Sequence, residues 1–204
     1  MRGARVGIAA VALACTPSGL GTTTVWSEPA TAGERIHRIM TVFVTDDDEL
    51  RRVAELDMAR RVGNGVPAYL VVSTEHLSNE AWVRRRIRQS GLDGAMIARL
   101  VDVGPADAPA NGSLTGSPNG SHRVLPPWTD GGGHGFWGYW SDAWTASETD
   151  RAGLVRVETA LYSIAPDRLL WTGRSGPIQR ATARAHVTDV VSQAAAEMRR
   201  RGVY

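Results

Sequence analysis

Four acidic residues in a row, Asp46, Asp47, Asp48 and Glu49, follow the apolar segment 38–45, RIMTVFVT. In an open α/β sheet, ligands gather at the carboxyl ends of the strands. Adjacent carboxylates there can hold a divalent cation or move protons. The plainer role of the same residues is a helix start. Asp46 with Glu49 three positions on has capping-box spacing, and carboxylates in a first turn complement the helix dipole. The histidines, His37, His76, His122, His134 and His186, show no metal-helix spacing. His122 and His134 share a segment with Asp130 and can meet a metal only if that segment folds around one. Solvated loop side chains are the alternative, and no metal site is expected.

Other chemistry is excluded by residue type. The chain has no lysine, so all 23 basic residues are arginine. That removes a P-loop lysine, a Schiff base and a lysine general base. The glycine-rich stretch 131–135, GGGHG, follows no strand and opens no clear helix. No GxxxxGK[ST] or GxSxG pattern occurs, so no cofactor is expected and no catalytic residue stands out.

Two clusters suggest binding instead. Trp128, Phe136, Trp137, Tyr139, Trp140 and Trp144 crowd one short stretch. If 136–145 is a short strand or flap, rings lie on both of its faces. One face can pack on the core, and the other suits a protein interface or glycan stacking. A flap sealed over its own core is the alternative. Arg84, Arg85, Arg86 and Arg88 form a basic stretch beside Trp82 and Ile87. Such a face can rest on anionic headgroups or simply face solvent.

The single cysteine, Cys15, excludes a disulfide or a Cys-rich zinc site within one chain. Arg2 and Arg5 precede an apolar run, 6–14, that ends at Ala14. This order is that of a secretory signal. It resembles the bacterial lipoprotein signal, which is cut before a cysteine that carries diacylglycerol. The resemblance implies removal of 1–14, a lipid anchor on Cys15 and, with Thr16 next, the outer membrane facing the periplasm. The apolar run is too short to span a bilayer. With Arg2 and Arg5 removed, basic and acidic residues balance, which argues against a nucleic-acid partner.

The elements beyond the anchor follow from periodicity. Residues 15–35 read as a tether, and 36–204 as a single α/β domain. Segments 38–45, 66–73 and 94–103 read as strands, with helices from Asp46 to about Val62 and from Ser78 or Asn79 to about Ser90. Leu50, Val53, Ala54, Met58 and Val62 fall on one face of the first helix. Residues 104–135 form a Gly/Pro/Ser-rich insert. Then 153–164 and 168–174 make an antiparallel hairpin, and a helix covers about 180–201. The fold expected is β-α-β-α-β, then a hairpin and a C-terminal helix, with helices packed on a mixed sheet.

The hairpin residues Glu158, Thr159, Leu161, Tyr162, Leu170 and Trp171, with the 137–144 aromatics, resemble a pattern of uncharacterised proteobacterial envelope lipoproteins. More distantly they are similar to domains of curli-export lipoproteins, penicillin-binding-protein activators and the Tol-system periplasmic protein. Where that pattern has Asp after Leu-Tyr, this chain has Ser163. The resemblance implies a non-enzymatic binding or envelope-assembly lipoprotein that engages an envelope protein or its own copies. Two alternatives remain open. One is a glycan- or peptidoglycan-binding module. The other is an envelope-polymer hydrolase with 104–144 as lid, which requires a cleft with a shifted carboxylate or histidine near 46–49 or 122–142.

Overall fold

A computed structural model describes residues 22–27 and 142 as backbone, and residues 36–103, 135–141, 143–144 and 153–204 with side chains. Cys15, Trp128, His122, Asp130 and His134 lie outside the described residues.

The strands are β1 (Thr22–Ser27), β2 (Ile39–Val44), β3 (Gly65–Pro67), β4 (Gly94–Asp102), β5 (Leu154–Ser163), β6 (Arg168–Ser175) and β7 (Ile178–Gln179). They form one mixed sheet in the order β1-β6-β5-β4-β2-β3, with β7 pairing β5. β2 runs parallel to β3 and β4, while β4, β5, β6 and β1 pair antiparallel. The helices are α1 (Asp48–Val62), α2 (Glu80–Gln89), α3 (Phe136–Ala143) and α4 (Arg180–Arg200). The α/β class, the hairpin and the C-terminal helix are as expected from the sequence.

The sheet has a core on each face. One contains Ala54, Met58 and Val62 of α1 with Ala183, Val187, Val190, Val191, Ala194 and Met198 of α4. The other contains Val83 and Ile87 of α2 with Phe136, Trp137 and Trp140 of α3. β2 is buried along its whole length because it is covered on both faces, which is why its sequence is a continuous apolar run. Across β4, β5 and β6, Arg99, Glu158 and Arg174 stand in register. The two arginines flank the Glu158 carboxylate at 2.9 Å each, a cross-strand pairing that favours this register over a slipped one.

The first helix starts one residue later than expected. Asp47, not Asp46, is its cap and accepts from the Leu50 N–H at 2.9 Å. Its buried face also differs. Arg51 and Glu55 point inward with Ala54, Met58 and Val62, while Val53 is 59% exposed. Gly63 ends it at φ +91°, and a Cβ on Gly65 would sit 2.4 Å from the Ala59 Cα. The glycine lets β3 return directly beneath the helix.

Three other elements depart from the sequence reading. The strand expected over 66–73 stops at Pro67 and gives way to 3₁₀ turns at Ala68–Leu70 and Thr74–His76. The cause is the inward pair on α1. The Glu55 carboxylate accepts from Tyr69 N at 2.7 Å, and Arg51 donates to the Val72 carbonyl at 3.2 Å. These bonds take backbone groups that a longer strand would have given to the sheet. Next, Thr22–Ser27 of the expected tether form a strand beside β6. Their Thr and Val content suits an edge position. Finally, 136–143 is helical rather than a strand or flap.

Arg51 is 1% exposed and Glu55 fully buried, so each charge depends on the other. Burial pushes the Glu55 carboxyl up to about 7, against the opposing pull of Arg51. Two outcomes follow. Arg51→Ala leaves the carboxylate unpaired and costs about 3–5 kcal/mol in urea unfolding. The folded state also holds the Glu55 proton more tightly than the unfolded chain does. Its contribution to stability is therefore fully present below the unfolded value of 4.5 and is lost as pH rises through about 7. Glu55→Gln removes that slope from the stability–pH curve.

Candidate functional site

The chain leaves the carboxyl ends of the neighbouring parallel strands β2 and β3 on opposite faces. β2 leads into α1 on one face, and the chain beyond β3 leads into α2 on the other. Such a divergence opens a crevice between neighbouring strand ends. A cleft of about 250 Å³ lies there, lined by Thr45, Asp46, Asp48, Arg51, Thr74, Leu77, Ser78 and Trp144.

Each wall has a local cause. Thr45 and Asp46 are the residues between β2 and the α1 cap. Thr74, Leu77 and Ser78 belong to the irregular segment held by Arg51 and Glu55. Trp144 follows α3 and is half-buried. α3 is pinned to the same segment, because the Trp140 indole N–H donates to the Leu77 carbonyl at 2.9 Å.

The polar groups of the floor are engaged with one another. Arg51 donates through Nε to Glu55 at 3.0 Å, and through Nη1 to the Thr74 hydroxyl at 3.2 Å. Its guanidinium carbon lies 5.5 Å from the Trp144 ring centre. The Thr74 hydroxyl donates to Asp48 Oδ1 at 2.6 Å. That bond, with Arg52 and Arg51 beyond it, holds the Asp48 carboxyl below the usual carboxylate range. Two carboxylates, Asp46 and Asp48, lie on the rim. Asp48 is paired with Arg52 at 3.0 Å and Arg51 with Glu55 at 3.0 Å, so the arginines at the cleft already face carboxylates and an anion is disfavoured here. Hydroxyls at Thr45, Thr74 and Ser78 and the apolar surfaces of Leu77 and Trp144 suit an uncharged, hydroxyl-bearing group.

The acidic run divides its roles. Asp47 caps the helix, Asp46 and Asp48 reach the cleft, and Glu49 faces solvent outside it. Among the described residues, no group of three or more His, Cys, Asp or Glu side chains is placed to hold a metal ion. His37 is exposed, and His186 is half-buried on α4. His76 stacks on Trp82 at 4.1 Å between ring centres.

Among the described residues, the aromatic cluster is not an exposed platform. Phe136, Trp137, Tyr139 and Trp140 are all at or below 7% exposure. A helix turns these closely spaced rings into the second core, where Phe136 meets Tyr162 edge-on at 6.2 Å. Burial pushes the Tyr139 phenol up to about 12. Of the expected interface residues within the described part, Trp144 alone lines the cleft. On α2, Arg84 pairs with Glu80 and lies 4.2 Å over Trp137, so it ties α2 to α3. Arg85, Arg86 and Arg88 remain exposed.

Arg51, Thr74 and Leu77 were not singled out from the sequence. A signal existed for the first, an Arg and a Glu four apart within the apolar stripe of a helix. None existed for Thr74 or Leu77, which reach the cleft only because the strand ends early.

Thr74→Val removes the hydroxyl that joins Arg51 to Asp48. The Asp48 carboxyl titration, followed by NMR, then rises toward its ordinary value. Stability falls by about 1 kcal/mol.

No family model matches the chain, and no curated protein matches it. Two solved structures of PelC dodecamers from Paraburkholderia phytofirmans are similar to it at 10% identity. One, a single-substitution variant, aligns over 84% of this chain and 96% of its own with a TM-score of 0.38. The other aligns over 84% and 94% with a TM-score of 0.39.

Proposed function

We propose that the chain is a lipoprotein of the cell envelope, anchored through Cys15 in the outer membrane and facing the periplasm, whose domain binds its ligand without transforming it. The anchor rests on the order of charge, apolar run and cysteine at 1–15. The binding role rests on the cleft at the β2 and β3 strand ends. Arg51, Glu55, Thr74 and Asp48 are bonded to one another, so these groups shape a surface.

The lining favours an uncharged ring with hydroxyls, as in envelope glycan. Trp144 and Leu77 offer an apolar wall, and Asp46, Asp48, Thr74 and Ser78 offer hydrogen-bond partners. The volume is below the roughly 300–1000 Å³ of sites that enclose a drug-sized ligand, so one ring is the natural unit. A side chain of an envelope protein is the competing occupant in an assembly role.

One observation favours a hydrolase as the second reading. The cleft contains a carboxylate, Asp48, shifted from its ordinary value. The shift is downward, which keeps the carboxylate ionised as a nucleophile requires and does not suit a proton donor. Glu55 has the raised value a donor needs, but it is fully buried with both oxygens engaged.

Three results are expected. Labelled palmitate is incorporated into the wild type in cells and not into Cys15→Ala. The purified full chain co-sediments with sacculi, and Asp48→Asn with Trp144→Ala weakens this at least about tenfold, equal to 1.4 kcal/mol. No new reducing ends appear in the sacculi. If they appear with wild type and vanish with Asp48→Asn, the hydrolase reading replaces the binding one.

A further inference from the structure

The described arginines mostly face carboxylates, as Arg52, Arg61, Arg180 and Arg184 do. α2 is different. Arg85, Arg86 and Arg88 are exposed and make no ion pair among the described residues. Val83 and Ile87 bury the inner face of the helix. At 100° per residue, Arg85 then points directly outward, with Arg88 and Arg86 on either side. Arg38 extends the basic surface past the helix end, where its Nη1 donates to the Ser90 carbonyl at 2.6 Å. Three acidic groups lie close by in the fold, and Glu75, 3.3 Å from the His76 ring, is the exposed one. Glu80 pairs with Arg84, and Asp93 accepts from the His37 and Arg38 backbone N–H groups.

Helix-dipole complementarity accounts for cations in the last turn, where Arg86 and Arg88 lie, but not for Arg85 or for the lack of intervening acids. Between the arginines sits Trp82, half-buried, with Arg86 5.7 Å from its ring centre and His76 stacked on it. An indole among exposed arginines suits a headgroup layer, where the ring enters the interface and the cations meet phosphate.

We propose that the outer face of α2, through Arg85, Arg86, Arg88 and Trp82, docks on an anionic phospholipid surface. Charge complementarity and the interfacial aromatic select this occupant. Three arginines correspond to roughly a hundredfold preference for an anionic over a neutral bilayer at low salt. Docking in this way would turn the sheet face bearing α2 toward lipid and the opposite face, with α1 and α4, away from it.

Arginine footprinting with phenylglyoxal, read by mass spectrometry on the purified full chain, tests this. Arg60, exposed on α1 across the sheet, is the internal control. With phosphatidylglycerol-rich vesicles, modification of Arg85, Arg86 and Arg88 slows several-fold, Arg60 is unchanged, and added salt reverses the protection. Vesicles of phosphatidylcholine give none. Equal protection by both vesicle types, or protection of Arg60 alone, overturns the proposal. So does protection by duplex DNA or an acidic polypeptide without protection by vesicles, which would assign the face to a polyanionic macromolecule. The footprint reads α2 whether or not Cys15 is acylated, so its failure is distinct from failure of the anchor.

Discussion

The buried pair of Arg51 and Glu55 is the contact on which the rest of this architecture depends. One carboxylate accepts from the Tyr69 backbone, lies 3.4 Å from the Phe43 N–H, and receives the Arg51 guanidinium. It thereby joins β2, α1 and the segment after β3. Arg51 extends the same network to Val72 and Thr74, and through Thr74 to Asp48. A buried ion pair is weak evidence for stability, because desolvation offsets most of the attraction. Its effect here is on shape. It ends β3 after three residues and bends the following chain inward, which makes one wall of the cleft. α3 then docks on that wall through the Trp140–Leu77 bond and brings Trp144 to the opposite side. Remove the pair, and the cleft loses its floor as well as one side.

The sequence was most legible where periodicity and burial agree. Segments 38–45, 94–103, 153–164 and 168–174 and the helix from 180 onward match the observed elements within a few residues, because each has one clear apolar face or a short apolar run. The reading failed where a tertiary polar contact overrides local preference. VPAYLVVS has the composition of a buried strand, yet two hydrogen bonds from a helix far back in the chain hold it in 3₁₀ turns. Val53 fits an apolar stripe by spacing, but two charged residues rotate the helix so that it faces solvent. FWGYWSDA reads as a strand because of its aromatics and its glycine. It is a helix because a deep hydrophobic recess between α2 and β5 can take several rings at once.

The candidate site was half legible. The acidic run after the first strand has the pattern of both a cap and a ligand position; the structure makes Asp47 the cap and places Asp46 and Asp48 in the lining of the cleft. The aromatic cluster was recognised as unusual, but most of its rings are core. What remained hidden was the partnership between them. Asp48 and Trp144 are nearly a hundred residues apart in sequence, and no local pattern places a tryptophan beside that helix start. No helix among the described residues is long and apolar enough to cross a membrane.

The cleft at the β2 and β3 strand ends is proposed to bind an uncharged sugar ring. The most direct test is an NMR titration of the isotope-labelled full chain with a soluble, uncharged N-acetylglucosamine disaccharide. The account predicts saturable shifts of the Trp144 indole and of the Thr45, Thr74 and Ser78 amides, with residues of α4 unmoved. Saturable shifts elsewhere with these groups unchanged, or no shifts at any ligand concentration, would contradict it.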